Sequence, residues 1–247
     1  MAKPAWKIEK IMNSMRFFPF TVLLPAGLLL PLSFFLLVSC EAAPKREVLE
    51  IKPHPIVSDE RLELTRIYNK IHYGLDSYQL KTPAIVVIHH TAIGTLKGSF
   101  RAFDKARIPG HRGYIKKFGA VNVGVHFLVD KNGDIYSLLP TGITGRHAIG
   151  LNHVSIGIEN VAAKASRLTE AQLQANAALV NHLKYEFDSI KYVIGHQEYT
   201  KRDLPHYRLY KELDPKYRPT VKSDPGPRFM KKLRARLKEK YKLQFEK

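Results

Sequence analysis

Two apolar runs end in histidine, and they constrain the fold more than any other feature of the chain. Ile85-Val86-Val87-Ile88 leads into His89-His90-Thr91-Ala92, and Val193-Ile194-Gly195 leads into His196-Gln197-Glu198. Such runs are buried strands that carry polar side chains out to one edge of a sheet. Further strands are predicted at Val121–Val129, Ile135–Leu139 and Val154–Val161, alongside Ala84–His89 and Lys191–His196. Asp130-Lys131-Asn132-Gly133-Asp134 joins the Val121–Val129 and Ile135–Leu139 strands, and its Asn-Gly pair is a strong hairpin signal.

Helices alternate with these strands. After Ser58, Asp59–His72 reads as helix, with Leu62, Ile67 and Ile71 at roughly helical spacing. Thr169 opens a second helix that runs to about Phe187. Thr169 with Gln172 makes a capping box, and Leu168 with Leu173 a hydrophobic staple. The inner face of this helix is predicted as Leu173, Ala177, Val180 and Leu183 or Lys184. A last helix starts near Pro225 and buries Phe229, Leu233 and Leu237. The fold class is therefore α/β, a single domain with a central mixed β-sheet flanked by helices.

Composition limits what surrounds this domain. The 247 residues include 40 Lys+Arg against 22 Asp+Glu, a formal charge of +18. That excess speaks of anionic partners in general, and no nucleic-acid signature accompanies it. Hydrophobic residues make up 45%, enough for a packed core. A single cysteine excludes a disulfide framework and any Cys-rich zinc module.

That cysteine has a telling position. Lys3, Lys7, Lys10 and Arg16 precede a charge-free stretch from Phe17 to Val38, and Leu37-Val38-Ser39-Cys40 closes it. A basic leader, an apolar run and a small-residue junction describe an export signal. The junction resembles the lipobox of bacterial lipoproteins, which implies cleavage before Cys40 and its acylation. An uncleaved transmembrane helix is the alternative, weakened by Pro19, Pro25 and Pro31. Residues 1–39 are thus expected as signal peptide, 40–58 as a lipidated tether and 59–247 as the folded domain. The implied location is the bacterial cell envelope, periplasm-facing, with the outer membrane preferred over the inner.

Lys222-Ser223-Asp224-Pro225-Gly226-Pro227 is the third stretch with chemical promise. Two imidazoles, a carboxylate and water would suit a catalytic zinc ion. Side chains alternate along a strand, so His89 and His90 cannot both enter one site. Asp224 before Pro225 also reads as a helix N-cap, with proline at the first helical position.

Taken in order, Ile88-His89-His90-Thr91-Ala92, Gly145-Arg146-His147-Ala148, Ser155-Ile156-Gly157-Ile158-Glu159, Gly195-His196 and Lys222-x-Asp224-Pro225-Gly226 resemble the type-2 N-acetylmuramoyl-L-alanine amidases. That family is related to phage T7 lysozyme and the peptidoglycan recognition proteins. The resemblance spans residues of about 84–229, and with the leader it is strongest to lipoprotein amidases of the AmiD type. It implies one zinc ion on His89, His196 and Asp224, with Glu159 and Lys222 catalytic. It further implies a peptidoglycan or muropeptide substrate, cut at the amide between N-acetylmuramic acid and L-alanine. A non-catalytic peptidoglycan receptor on the same fold is the alternative.

His147 matches a family histidine beside the cleft and is a candidate substrate contact. Ser155, Gly157 and Glu159 share one strand face, and the two small residues leave room for substrate. His90 is expected to be structural, and His126 a buried hydrogen-bonded histidine. His54, His72, His111, His153, His182 and His206 are expected on the surface or in packing.

Two departures from the family stand out. Val125 replaces a tyrosine found in some relatives. An insertion of about 199–220, rich in Tyr, Arg and Lys, separates His196 from Asp224 and supplies Asp203 and Asp214 as rival ligands. It is expected to form a wall over the cleft. The basic segment 228–247 reads as a solvated helix face, and the chain as a monomer.

Overall fold

The computed structural model describes residues 49–246. The expected signal peptide, the junction Cys40 and the first part of the tether lie outside them. Among the described residues, six strands form one mixed sheet in the order β1-β4-β3-β5-β2-β6. These are β1 (Ile51–Pro53), β2 (Ile85–His90), β3 (Phe127–Val129), β4 (Ile135–Ser137), β5 (Ser155–Asn160) and β6 (Tyr192–Gly195). Helices α1 (Asp59–Tyr73), α2 (Leu96–Asp104), α3 (Gly113–Lys116), α4 (Glu170–Glu186) and α5 (Pro227–Tyr241) surround it.

The position of β2 follows from its composition. It runs parallel between β5 and β6, and Ile85 through Ile88 are fully buried. A central parallel strand is covered on both faces and so tolerates no polar residue until its end. On one face, Val86, Ile88, Ile156, Ile158 and Val193 pack against Leu173, Ala177, Val180 and Leu183 of α4 and Phe229, Met230, Leu233 and Leu237 of α5. On the other, Ile85 and Val87 pack with Leu151, Tyr192, Ile194 and Tyr199. Parallel strands point the same way, so the carboxyl ends of β5, β2 and β6 lie side by side. Ligand sites in such sheets form outside those ends.

Helix α4 carries the predicted capping box, with Thr169 Oγ1 accepting from Gln172 N and Thr169 N donating to Gln172 Oε1. Its buried face also holds Gln172 and Asn176, whose amides bond to Val129 O, Val161 O and Asn160. The β3–β4 hairpin closes through Asp130 and Asp134, with Gly133 at φ 93°. That backbone conformation is one that glycine adopts without a Cβ penalty.

Several expectations need correction. Residues 49–58 belong to the fold rather than to a tether. Ile51–Pro53 pairs in parallel with β4, and Ser58 caps α1. The strand expected from Val121 is regular only from Phe127. Asn122 donates to Ala102 O and Lys105 O, which draws this segment off the sheet towards the loop after α2. In α1, Ile67 and Ile71 are exposed, and the buried face is Arg61, Leu64, Tyr68 and His72. That face mixes apolar and polar contacts: Leu64 and Tyr68 pack with Val121 and Tyr217, while Arg61 donates to Phe103 O and Lys105 O. Helix α5 begins at Pro227 with Gly226 as its N-cap, so Asp224 is not a cap. Its carboxylate is free for other work.

Candidate metal centre

Strand register brings the site together. His89 of β2 is aligned with Glu159 of β5, so both side chains leave the same face of the sheet. His196 follows β6 by one residue, in a 3₁₀ turn of three residues. Gln197 N donates to Asp224 O, which brings the carboxyl-terminal loop alongside that turn. Nδ1 of His196 lies 3.1 Å from Asp224 Oδ2, and Nδ1 of His89 lies 3.4 Å from the same oxygen. The three ligand atoms all fall within 4.8 Å of one another. They lie close enough for one metal ion. The rival carboxylates do not join them: Asp203 is exposed, and Asp214 accepts from Lys216 N in its own turn.

The electrostatics agree with a ligand set. Burial and the neighbouring His89 push the His196 imidazole down to about 4, so it is neutral at pH 7. Burial alone would raise the Asp224 carboxyl. The hydrogen-bonded His196 and the neighbouring His89 outweigh it and hold the group well below the usual carboxylate range. For His196 and Asp224, a neutral imidazole beside an ionised carboxylate is the state in which such groups bind a divalent cation.

Glu159 sits differently. Burial and the nearby Asp224 charge push its carboxyl well above the ordinary range, against the opposing charges of Arg112 and Lys222. Its Oε2 is buried without a hydrogen-bond partner. Lys222 is exposed on the rim of a cleft of about 420 Å³, whose floor includes His89, Glu159, His196 and Asp224. Arg112, Val125, Tyr199, Tyr217 and Thr220 also line it. The insertion therefore does form one wall, held by Tyr199 Oη donating to Thr220 O and accepting from Thr220 N. Val125 leaves that side of the cleft apolar.

His147 lines the cleft and is also packed into the fold. Its imidazole lies against Gly157, where a Cβ would approach within 2.9 Å of the ring. The space above the small residues of β5 is thus filled by His147 rather than left open. Its Nδ1 lies 3.1 Å from His89 Nε2 and its Nε2 3.4 Å from Ser155 Oγ. Burial, with the imidazoles around it, lowers its basicity far below that of a free histidine.

His126 is buried, accepts from Gly157 N and bonds to Ile143 O. His90 lines the cleft at the strand end, and its Nδ1 accepts from Ala92 N. His72 is buried between Glu212 and Phe118 O.

Two supporting residues had no separate signal in the sequence. Arg146 is buried and donates to the carbonyls of Ile115, Gly119 and Val121 and to Tyr217 Oη. It ties the end of α3 and the loop after it to the insertion. Asn152 Oδ1 accepts from His147 N and Ala148 N, and its amide donates to Tyr68 and Tyr73. The Gly-Arg-His motif marked the place, but only tertiary contacts separate its structural arginine from its site histidine.

The fold and this motif order have counterparts among known proteins. The profile of the family Amidase_2, N-acetylmuramoyl-L-alanine amidase, matches residues 79–227. No curated protein matches the sequence. Among solved structures, a selenomethionine derivative of AmpD shares the fold at 20% identity and TM-score 0.50, covering 76% of this chain and 95% of that one. The N-acetylmuramoyl-L-alanine amidase endolysin LysCS from Clostridium intestinale URNW is 25% identical, with TM-score 0.39, over 50% of this chain and 75% of its own. Peptidoglycan recognition protein-LE, solved with tracheal cytotoxin, is 25% identical over 53% of this chain and 79% of that chain, with TM-score 0.40. The family profile covers strands β2 to β6, the cleft wall and every residue of the His89–His196–Asp224 cluster, and the chain belongs to the N-acetylmuramoyl-L-alanine amidase family Amidase_2.

Proposed function

We propose that this chain is a zinc-dependent N-acetylmuramoyl-L-alanine amidase that hydrolyses the amide between N-acetylmuramic acid and L-alanine in peptidoglycan or its muropeptides. The observation that carries this reading is the convergence of two imidazole nitrogens and a carboxylate oxygen beside a buried, unpartnered glutamate oxygen. Membership of the amidase family supports it. The donor set fits zinc: two imidazole nitrogens and one carboxylate leave a coordination position for water or substrate.

When bound by His89, His196 and Asp224, zinc supplies Lewis acidity that polarises a carbonyl and acidifies water. The remaining chemistry falls to the chain. Glu159, with its raised proton affinity, takes a proton from the attacking water at Oε2 and delivers it to the leaving alanine nitrogen. Lys222, on the rim, offers positive charge to the oxyanion that develops on the carbonyl. The apolar side of Val125 and the insertion wall limit water at the reacting bond.

The test is mass spectrometry of muropeptides incubated with the purified chain, with and without a chelator. Free stem peptide beginning with L-alanine, lost on chelation and restored by zinc, is the expected result. Cuts within the stem would indicate a peptidase instead, and binding without cleavage a receptor. We further propose that Cys40 is acylated and holds the domain at the envelope surface, where its positive charge faces anionic polymers. Incorporation of labelled palmitate, lost in Cys40→Ala, checks this.

A further inference from the structure

We infer that His147 is a positioning residue, fixing the proton of His89 on Nε2 so that Nδ1 offers its lone pair to the metal. This rests on the metal-site reading above and extends it beyond the ligand set. The two edges of the His89 ring face different partners. Nδ1 looks towards Asp224 Oδ2 at 3.4 Å, the oxygen that His196 Nδ1 also meets at 3.1 Å. Nε2 looks the other way, to His147 Nδ1 at 3.1 Å, with the two rings nearly perpendicular at 89°.

One proton can lie between those two nitrogens. A neutral imidazole carries a single N–H, and a ligating nitrogen carries none. With Nδ1 of His89 on the metal, its proton is on Nε2 and is donated to His147 Nδ1. The His147 proton then sits on Nε2, facing Ser155 Oγ at 3.4 Å, and Ser155 Oγ donates to Leu151 O at 2.8 Å. Every group in this chain has one proton and one direction, and it ends on a carbonyl that can only accept. The reverse order would place a proton on His89 Nδ1 and block the metal. Hydrogen-bond partners behind ligating histidines commonly set tautomer and orientation in this way.

The fold holds His147 rigidly for that task. Its backbone N–H is bonded to Asn152 Oδ1 at 2.8 Å, and Asn152 is anchored by the Tyr68 and Tyr73 hydroxyls. The ring lies against Gly157 and Gly145, where a Cβ would come within 2.9 Å and 3.2 Å of it.

Spectra of the zinc-loaded chain and metal binding by its variants test the inference. Long-range proton–nitrogen correlation spectra of histidine-labelled wild type should show His147 protonated on Nε2, with Nδ1 an acceptor; a proton on His147 Nδ1 overturns it. Zinc affinity, from chelator competition, should fall roughly 10–100-fold in His147→Phe. Phenylalanine fills the same seat but accepts no hydrogen bond. His147→Asn, which keeps an acceptor near Nδ1, should recover most of the affinity, and the visible bands of the cobalt-substituted variants should follow the same order. Wild-type affinity in His147→Phe, or equal loss in both variants, overturns the inference. A wild-type chain that binds no zinc defeats the metal-site reading itself. Should a variant fail to fold, the spectra of the wild type decide.

Discussion

At Glu159 two opposing effects meet, and burial wins. Arg112 and Lys222 favour the charged carboxylate, yet desolvation and Asp224 keep its proton affinity high. Glu159→Gln keeps the volume and removes the titration. It should retain zinc by elemental analysis while muropeptide cleavage falls roughly 10²–10⁴-fold. Asp224→Ala should do the reverse: metal content falls first, and activity falls with it. Gly157→Ala tests the seat of His147. A methyl group there would press into a ring pinned on three sides, at a cost of about 1–3 kcal/mol, read as a lower melting temperature. The metal-ligand candidates were legible residue by residue because their types and order carry the chemistry. The role of Gly157 was not, because a glycine that clears substrate and one that clears a side chain look alike in one dimension.

Among the elements, α5 does more than present a basic face to solvent. Its Arg234 grips Glu198 through two nitrogens, at 2.6 and 3.1 Å, and donates to Val193 O. Glu198 Oε2 also accepts from Gly195 N, so the turn that carries His196 is clamped from beneath. Arg234→Ala should destabilise the domain by about 1.5–3 kcal/mol, since hydrogen bonds to a charged group are lost. In a domain of this size that lowers the melting temperature by roughly 3–12 °C. Zinc affinity should fall as well, by chelator competition, because the ligand's turn is freed. Helix α4 was readable to within a residue, through its capping box and apolar period. Strand β1 was not: three residues among prolines carry no periodicity, and only pairing with β4 makes them a strand.

Over the whole molecule, buried histidines make the metal-free fold sensitive to acid. Burial lowers His126 and His153 to about 4, as it does His196. In the unfolded chain these groups protonate near 6.5, so from there down to about 4 the unfolded state binds more protons. Stability present above pH 6.5 is therefore lost as the pH falls towards 4. His126, fully buried, accounts for about 3 kcal/mol of that loss. Chelator-treated protein should unfold at lower temperature at pH 5 than at pH 7.5. His126→Gln, though less stable at neutral pH, should show a shallower slope. By itself the sequence determined the α/β class, the strands that end in histidine and the residues able to bind a metal, since hydrophobic period and side-chain chemistry are local properties. Only the tertiary structure decided that Asp224 joins the histidines rather than capping α5, that His147 stands behind His89, and that Arg146 and Arg234 brace the site. Those roles depend on which groups distant in the chain come within hydrogen-bond reach, and no local pattern contains that distance.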